Sequence, residues 1–255
     1  FCVAKDEDPL AQGSLVGRYM ILEKLGSGGM GVVYAAYDPE LDRKVAIKVL
    51  GGRADDGTTG RARIRREAQA LAKISHPNIV QIYEVGEAPA VGLDGSVDPE
   101  RSPIYLAMEY VDGPSLSELL KDGPLEARRT ASLMFQAALA LRYTHQRGVV
   151  HRDVKPDNLF LLAGSHLEVK VIDFGIAQHA QAQDANGQPI GTPGHMSPEQ
   201  CTGGAVDARS DVWALGVLLA EMVELAGVAR GRELRAVARR ATEPDPDRRY
   251  RDAAA

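Results

Sequence analysis

HRDVKPDN (His151–Asn158) sits between the apolar runs RYTHQRGVV and LFLLAG and carries five ionisable side chains, a proline and an asparagine. Charged side chains are seldom buried unless they are paired or hold a cation. So much polar chemistry between core-forming flanks therefore reads as a site held on a scaffold. Asp153 can accept a hydroxyl proton, Lys155 can meet migrating negative charge, and Asn158 offers an amide oxygen to a hard cation. Downstream, KVIDFG supplies a second acid, Asp173, after a β-type run and before a glycine that permits a sharp turn. Oxygen ligands this few suit Mg²⁺, which keeps waters and phosphates in its shell.

Upstream, LGSGGMGVVY has Gly26, Gly28 and Gly31 in G-x-G-x-x-G spacing. That spacing alone also marks a dinucleotide-binding turn. A dinucleotide turn opens a helix, however, whereas VVYAAY is β-branched and aromatic and reads as the return strand of a hairpin. A Rossmann-type dehydrogenase is thereby disfavoured. A glycine hairpin can lay N–H groups over phosphates without a Cβ in the way. One strand later, VAIK (Val45–Lys48) ends in a lysine placed to reach phosphate oxygens. In RARIRREAQALAKI, Ile64, Ala68, Leu71 and Ile74 recur at helical spacing, and Glu67 shares their inward side. An inward carboxylate needs a cation, and Lys48 is the best candidate.

The chain has 255 residues, enough for one large domain or two lobes. Thirty Lys and Arg against 35 Asp and Glu leave a net charge of −5, which argues against nucleic acid as a partner. The basic cluster Arg61–Glu67 reads as the solvated side of a helix. Two cysteines, Cys2 and Cys201, cannot build a disulfide framework, so a reducing cytoplasm is the expected setting. The longest uncharged apolar stretch, TASLMFQAALAL, is too short to span a bilayer, and FCVAKDEDP carries acids where a secretory signal is apolar. A first residue other than Met suggests a piece of a longer parent, which could itself be membrane-anchored.

The pattern along the chain is a polar, loose arm over residues 1–16, then short β-type runs (YMILEKL, GVVYAAYD, KVAIKVL) and one helix from Arg61. IVQIYEVG and IYLAMEYV follow, separated by EAPAVGLDGSVDPERS, which reads as an exposed loop. After Gly113 helices dominate, apart from the short strands LFLLA and LEVKVID. DVWALGVLLAEMV, apolar nearly all round, is expected at the centre of its lobe.

Taken together, Gly26–Gly31, VAIK, HRDVKPDN and KVIDFG resemble the protein kinase family in order and spacing. HRDVKPDN resembles the serine/threonine branch, and GTPGHMSPEQ (Gly191–Gln200) with LDRKVAIKVL resembles the bacterial kinases of eukaryotic type. The resemblance implies an α+β, two-lobed fold: a β-rich N-lobe with one regulatory helix over residues 17–110, and a larger, mainly helical C-lobe over 111–255. It implies transfer of the γ-phosphoryl of ATP to a protein hydroxyl with Mg²⁺. In that frame Gly26, Ser27, Gly28, Gly29 and Gly31 cover the phosphates, and Lys48 pairs with Glu67 while holding them. Val33 and Ala46 lie above adenine and Phe160, or its neighbour Leu161, below. Met108 is the gatekeeper, with backbone groups of Glu109 and Val111 meeting adenine. Asp153 orients and deprotonates the substrate, Lys155 steadies the γ-phosphoryl, and Asn158 and Asp173 bind the metal. Leu71, Ile82, His151 and Phe174 form a regulatory stack anchored by Asp211, and Glu199 pairs with Arg249.

The resemblance departs in two places. Between residues 222 and 244 the family has a Pro-Phe turn and a further helix that helps to dock substrates. Residues missing from a mobile loop are the expected cause, with a true deletion as the alternative. In the activation segment, Arg152 is the residue that grips a phosphate in the family, yet residues 174–191 contain no Ser, Thr or Tyr. Thr192 is expected to bond Asp153 and Lys155, and Asp184 stands about where relatives carry phosphothreonine. A protein substrate is the expected partner, with a homodimer left open. The alternative function is a nucleotide-binding pseudokinase or signalling scaffold, favoured by the short C-lobe and disfavoured by the full catalytic set.

Overall fold

A computed structural model describes residues 10–28, 31–50, 57–88, 90–91, 97–98, 103–162, 168–174, 194–226 and 231–253. Contacts divide the chain into two compact units, one of residues 1–73 and 81–110 and one of 74–80 and 111–255. The statements below concern each unit by itself.

The first unit is built on a six-stranded antiparallel sheet in the order β1-β2-β3-β4-β8-β5. Its strands are β1 (Leu15–Val16), β2 (Tyr19–Gly28), β3 (Gly31–Asp38), β4 (Arg43–Leu50), β5 (Ile82–Glu87) and β8 (Ile104–Glu109). Between β5 and β8, β6 (Ala90–Val91) pairs with β7 (Val97–Asp98). The stretch expected to be an exposed loop thus contains a small ladder. Residues directly opposite in an antiparallel pair point to the same side of the sheet. One side carries the apolar cluster Tyr19, Ile21, Tyr34, Ala36, Val45, Ile47, Tyr105 and Ala107. Both phenols of that cluster end on one carboxylate, Tyr19 Oη at 2.9 Å from Glu84 Oε2 and Tyr105 Oη at 2.7 Å from Oε1. Burial and these bonds push both tyrosines above their ordinary pKa.

The arm expected over residues 1–16 is not loose at its end. Leu15 and Val16 pair with Met20 and Tyr19, Gly13 N–H donates to Ile21 O at 2.8 Å, and Val16 is 1% exposed. A buried valine and satisfied backbone groups hold these residues against β2. Residues 1–9 lie outside the described residues. The helix α1 (Gly57–Ala72) begins ahead of Arg61 and ends before Ile74, which is buried beyond the helix.

The second unit holds α2 (Leu116–Lys121), α3 (Ala127–His145), β9 (Leu159–Leu162), β10 (Glu168–Val171), α4 (Pro198–Thr202), α5 (Ala208–Leu225) and α6 (Arg232–Ala241). Ser115 caps α2 through a reciprocal pair with Glu118. α3 buries Leu133, Met134, Ala137, Ala140, Leu141 and Thr144 along one stripe. α5 buries residues on most sides, from Val212 through Leu218 and Leu219 to Val223. Gly216 lets α6 come close: a Cβ there would lie 2.6 Å from Ala241 Cβ. Residues 227–230, between α5 and α6, lie outside the described residues. α6 packs against α5.

Candidate active site

Strand register brings the nucleotide-binding candidates of the first unit onto one side of its sheet. Lys48 lies opposite Val33 on β3 and Leu106 on β8, while Ala46 lies opposite Ala35 and Met108. Gly26 lies opposite Val33. Val33, Ala46, Lys48 and Met108 therefore share the side opposite the Tyr19–Ile47 cluster, and slippage by one residue would move all of them to the other side. Lys48 is only 4% exposed. Gly28 pairs with Gly31, and added Cβ atoms at Gly26 and Gly28 would meet nothing within 4 Å, so the hairpin backbone is open to approach. At Gly31 a Cβ would lie 2.0 Å from Val49 O, so no other residue fits there. Ser27 lies opposite Val32; Gly29 is outside the described residues.

Glu67 lies on α1 among the buried Ile64, Ala68 and Leu71, and its Oε1 is 3.4 Å from Arg63 Nε. Glu109 at the end of β8 donates its N–H to Gln81 O at 2.8 Å, and its Oε2 accepts the Gln81 N–H at 3.1 Å. Leu71 and Ile82 are buried in the first unit, where α1 packs on β5.

In the second unit the octet is folded around its own hydrogen bonds. Lys155 Nζ lies 2.9 Å from Asp153 Oδ2. Asn158 Nδ2 donates to Asp153 O at 2.7 Å and to Asp153 Oδ2 at 3.1 Å. The amide nitrogen is thus committed to Asp153, and the oxygen is the end left for a cation. Ile172 N–H donates to Asn158 O at 3.0 Å, which brings the strand ending before Asp173 against the octet. Asp173 has φ 63° and Arg152 φ 71°. A non-glycine residue there costs roughly 1 kcal/mol, and such strain persists where surrounding bonds over-determine it.

Those bonds are present. Asp211, 1% exposed in the first turn of α5, accepts the His151 N–H at 2.8 Å and the Arg152 N–H at 2.7 Å. His145 Nε2 adds a third contact at 2.7 Å. His151, fully buried, accepts the Asp153 N–H on Nδ1 at 3.3 Å, so its proton sits on Nε2 and is donated to Ile172 O at 2.8 Å. Its ring lies 4.5 Å from that of Phe174. One imidazole thereby ties the octet to the Asp173 segment.

Glu199, on α4, is bonded by Arg249 through Nη1 at 2.7 Å and Nη2 at 2.9 Å, and by Ser210 Oγ at 2.6 Å. Burial opposes its charge, but the Arg249 and Ser210 bonds prevail and hold its pKa at about 2. Phe160 on β9 lies opposite Lys170, and Leu161 is buried with its N–H on Pro114 O. Val111 belongs to the second unit and is partly buried. Asp184 and Thr192 lie outside the described residues.

Two positioning residues escape a reading of the octet. Gln200 Nε2 donates to Arg152 O at 2.8 Å while its Oε1 accepts the Ser197 N–H. The S-x-x-Q spacing of Ser197 and Gln200 was the available signal. His145 has none, being one polar residue in the last turn of a long helix.

The sequence model of the protein kinase domain matches residues 19–243. The serine/threonine-protein kinase PknB of Mycolicibacterium smegmatis is 42% identical over 215 residues, covering 82% of this chain and 33% of PknB. The serine/threonine-protein kinase PksC of Streptomyces coelicolor is 41% identical over 216 residues, 81% of this chain and 37% of PksC. The crystal structure of the Mycobacterium tuberculosis PknI kinase domain superposes with a TM-score of 0.73 at 27% identity, covering 96% of this chain and 95% of that one. The chain belongs to the protein kinase family, with the α+β fold and the motifs of its bacterial serine/threonine branch. It spans about a third of the length of the curated relatives it matches.

Proposed function

We propose that this chain transfers the γ-phosphoryl group of ATP to a serine or threonine hydroxyl of a protein substrate, in the cytoplasm. The observation that carries this reading is the Asp153 carboxylate, fixed by Lys155 and Asn158 within a loop that Asp211 holds by its backbone. Asp153 orients the substrate hydroxyl and takes its proton as the oxygen bonds to phosphorus and the bond to ADP breaks. Lys155 offsets the charge of the group in flight, and Lys48, paired with Glu67, holds the α- and β-phosphates. Adenine contact at Glu109 falls to its carbonyl, since its N–H is spent on Gln81 O. The lobes of this reading are residues 17–110 and 111–255.

Asn158 and Asp173 would hold Mg²⁺. A hard amide oxygen and a carboxylate fit that ion, and among the described residues there is no cluster of three or more His, Cys, Asp or Glu to hold a metal without nucleotide. When bound, the cation neutralises charge on the phosphates. Among the described residues no helix is long and apolar enough to cross a membrane.

Lys48→Met tests the reading. With labelled ATP and a generic basic protein, transfer should fall by more than about 100-fold while circular dichroism and melting stay near wild type. Wild-type turnover in this variant would remove Lys48 from the site.

A further inference from the structure

The segment between α1 and β5 belongs to the second unit although both of its neighbours belong to the first. Its attachment is dense. Val80 N–H donates to Val171 O at 3.0 Å, Val171 N–H donates to Asn78 O at 2.8 Å, and Ile79 bridges Val171 in parallel. Asn78 Nδ2 donates to Val169 O at 2.9 Å and Gln136 Oε1 at 3.1 Å, and the same Gln136 oxygen accepts the Val169 N–H at 3.0 Å. Asn78, Ile79 and Val80 are all buried.

His76 starts this strap. Its Nδ1 accepts the Asn78 N–H at 3.1 Å, and its O accepts the Ile79 N–H at 3.0 Å. Its ring packs 5.1 Å from the Tyr143 ring on α3, whose face also carries the Arg147 guanidinium at 3.5 Å. A backbone N–H can donate only to an unprotonated Nδ1, so this geometry requires neutral imidazole. Protonation would set two donors against each other and add charge near Arg147 and, on β10, Lys170. We propose that His76 makes the strap a pH-sensitive anchor: the neutral ring holds the Asn78 N–H, the protonated ring releases it, and residues 76–80 then loosen from β10. With the kinase reading above, phosphotransfer should then fall in acid, because the loosened segment leads directly into β5 from the helix that carries Glu67.

Burial, Arg147 and Lys170 all lower the His76 pKa below its ordinary value. The folded protein therefore resists a proton that the unfolded chain accepts. The anchoring is complete above about pH 6.5 and is lost as the pH falls below it.

The test uses the whole chain. Nitrogen-resolved NMR of its histidines should show His76 titrating below about 6.5 with the proton on Nε2 at neutral pH. After correction for intrinsic rates, amide exchange at Asn78 and Val80 should rise at least about threefold between about pH 7.5 and about pH 5.5. In His76→Gln, whose amide oxygen can accept the same N–H but cannot titrate, that step should vanish. The acid loss of phosphotransfer should shrink with it. Titration at or above about 6.5, an unchanged exchange rate in wild type, or the same step in His76→Gln would overturn the anchor. The titration and wild-type exchange decide the matter even if the variant does not fold. Absence of transfer at every pH would instead count against the kinase reading and leave the exchange result to judge the strap.

Discussion

Asp211 Oδ1 accepts the backbone N–H of Arg152 at 2.7 Å across 59 residues of chain. The bond fixes a left-handed residue next to Asp153, and the other Asp211 oxygen fixes His151 and meets His145. Asp211→Ala leaves two backbone donors and one imidazole without their acceptor, at a cost of about 3–5 kcal/mol. Urea unfolding should report that loss. In protein that remains folded, turnover should fall at least about tenfold, because a loosened loop misplaces Asp153. A variant with unchanged stability and rate would show that Asp211 does not hold the loop.

The Glu199–Arg249 pair predicts an acid limit. The folded pKa of Glu199 is about 2 against an ordinary 4.5. The native state therefore binds its proton less readily than the unfolded state, and stability is full above about pH 4.5 and lost as pH falls towards 2. The contribution is about 3 kcal/mol. Melting temperature followed over this range should drop more steeply in wild type than in Glu199→Gln. Arg249→Ala, which leaves the part-buried Glu199 carboxylate without its cation, should cost about 3 kcal/mol at neutral pH. Parallel pH curves for wild type and Glu199→Gln would contradict the pairing.

Residues 174–191 contain no hydroxyl side chain. Activity should therefore not depend on phosphate in that stretch. Peptide mapping before and after phosphatase should find none between Asp173 and Thr192, with rates unchanged within about twofold. A fixed carboxylate at Asp184 would supply part of the charge that a phosphate brings. Loss of activity on phosphatase treatment would contradict this prediction.

Much of the fold was legible because its signals are local. The β-branched VVYAAY made the glycine stretch a hairpin, and strand alternation then set Lys48 on the same side as Val33. The octet stood out because its charges interrupt apolar runs. The less legible parts depend on distant partners. Leu15 and Val16 look like arm residues until β2 lies beside them, and His76 acquires a meaning only when Tyr143 and Asn78 surround it. Sequence alone puts the start of α1 late because Gly57 and Gly60 are poor helix formers, outvoted here by the rest of the helix. The short spacing between α5 and α6 is plain in the sequence, but the close approach of α6 to Gly216 shows only once the two helices lie side by side.

Phosphotransfer dependent on Asp153 is the central claim. Purified chain should be incubated with Mg²⁺ and γ-labelled ATP, alone and with a generic basic protein, beside Asp153→Asn. The wild type should label serine or threonine, with the variant slower by at least about 100-fold, since Asn cannot take the hydroxyl proton yet keeps the size of Asp153. Nucleotide binding without any transfer by the wild type, or equal labelling by the two proteins, would contradict the account; the first outcome would favour a scaffold that binds nucleotide and signals by conformation.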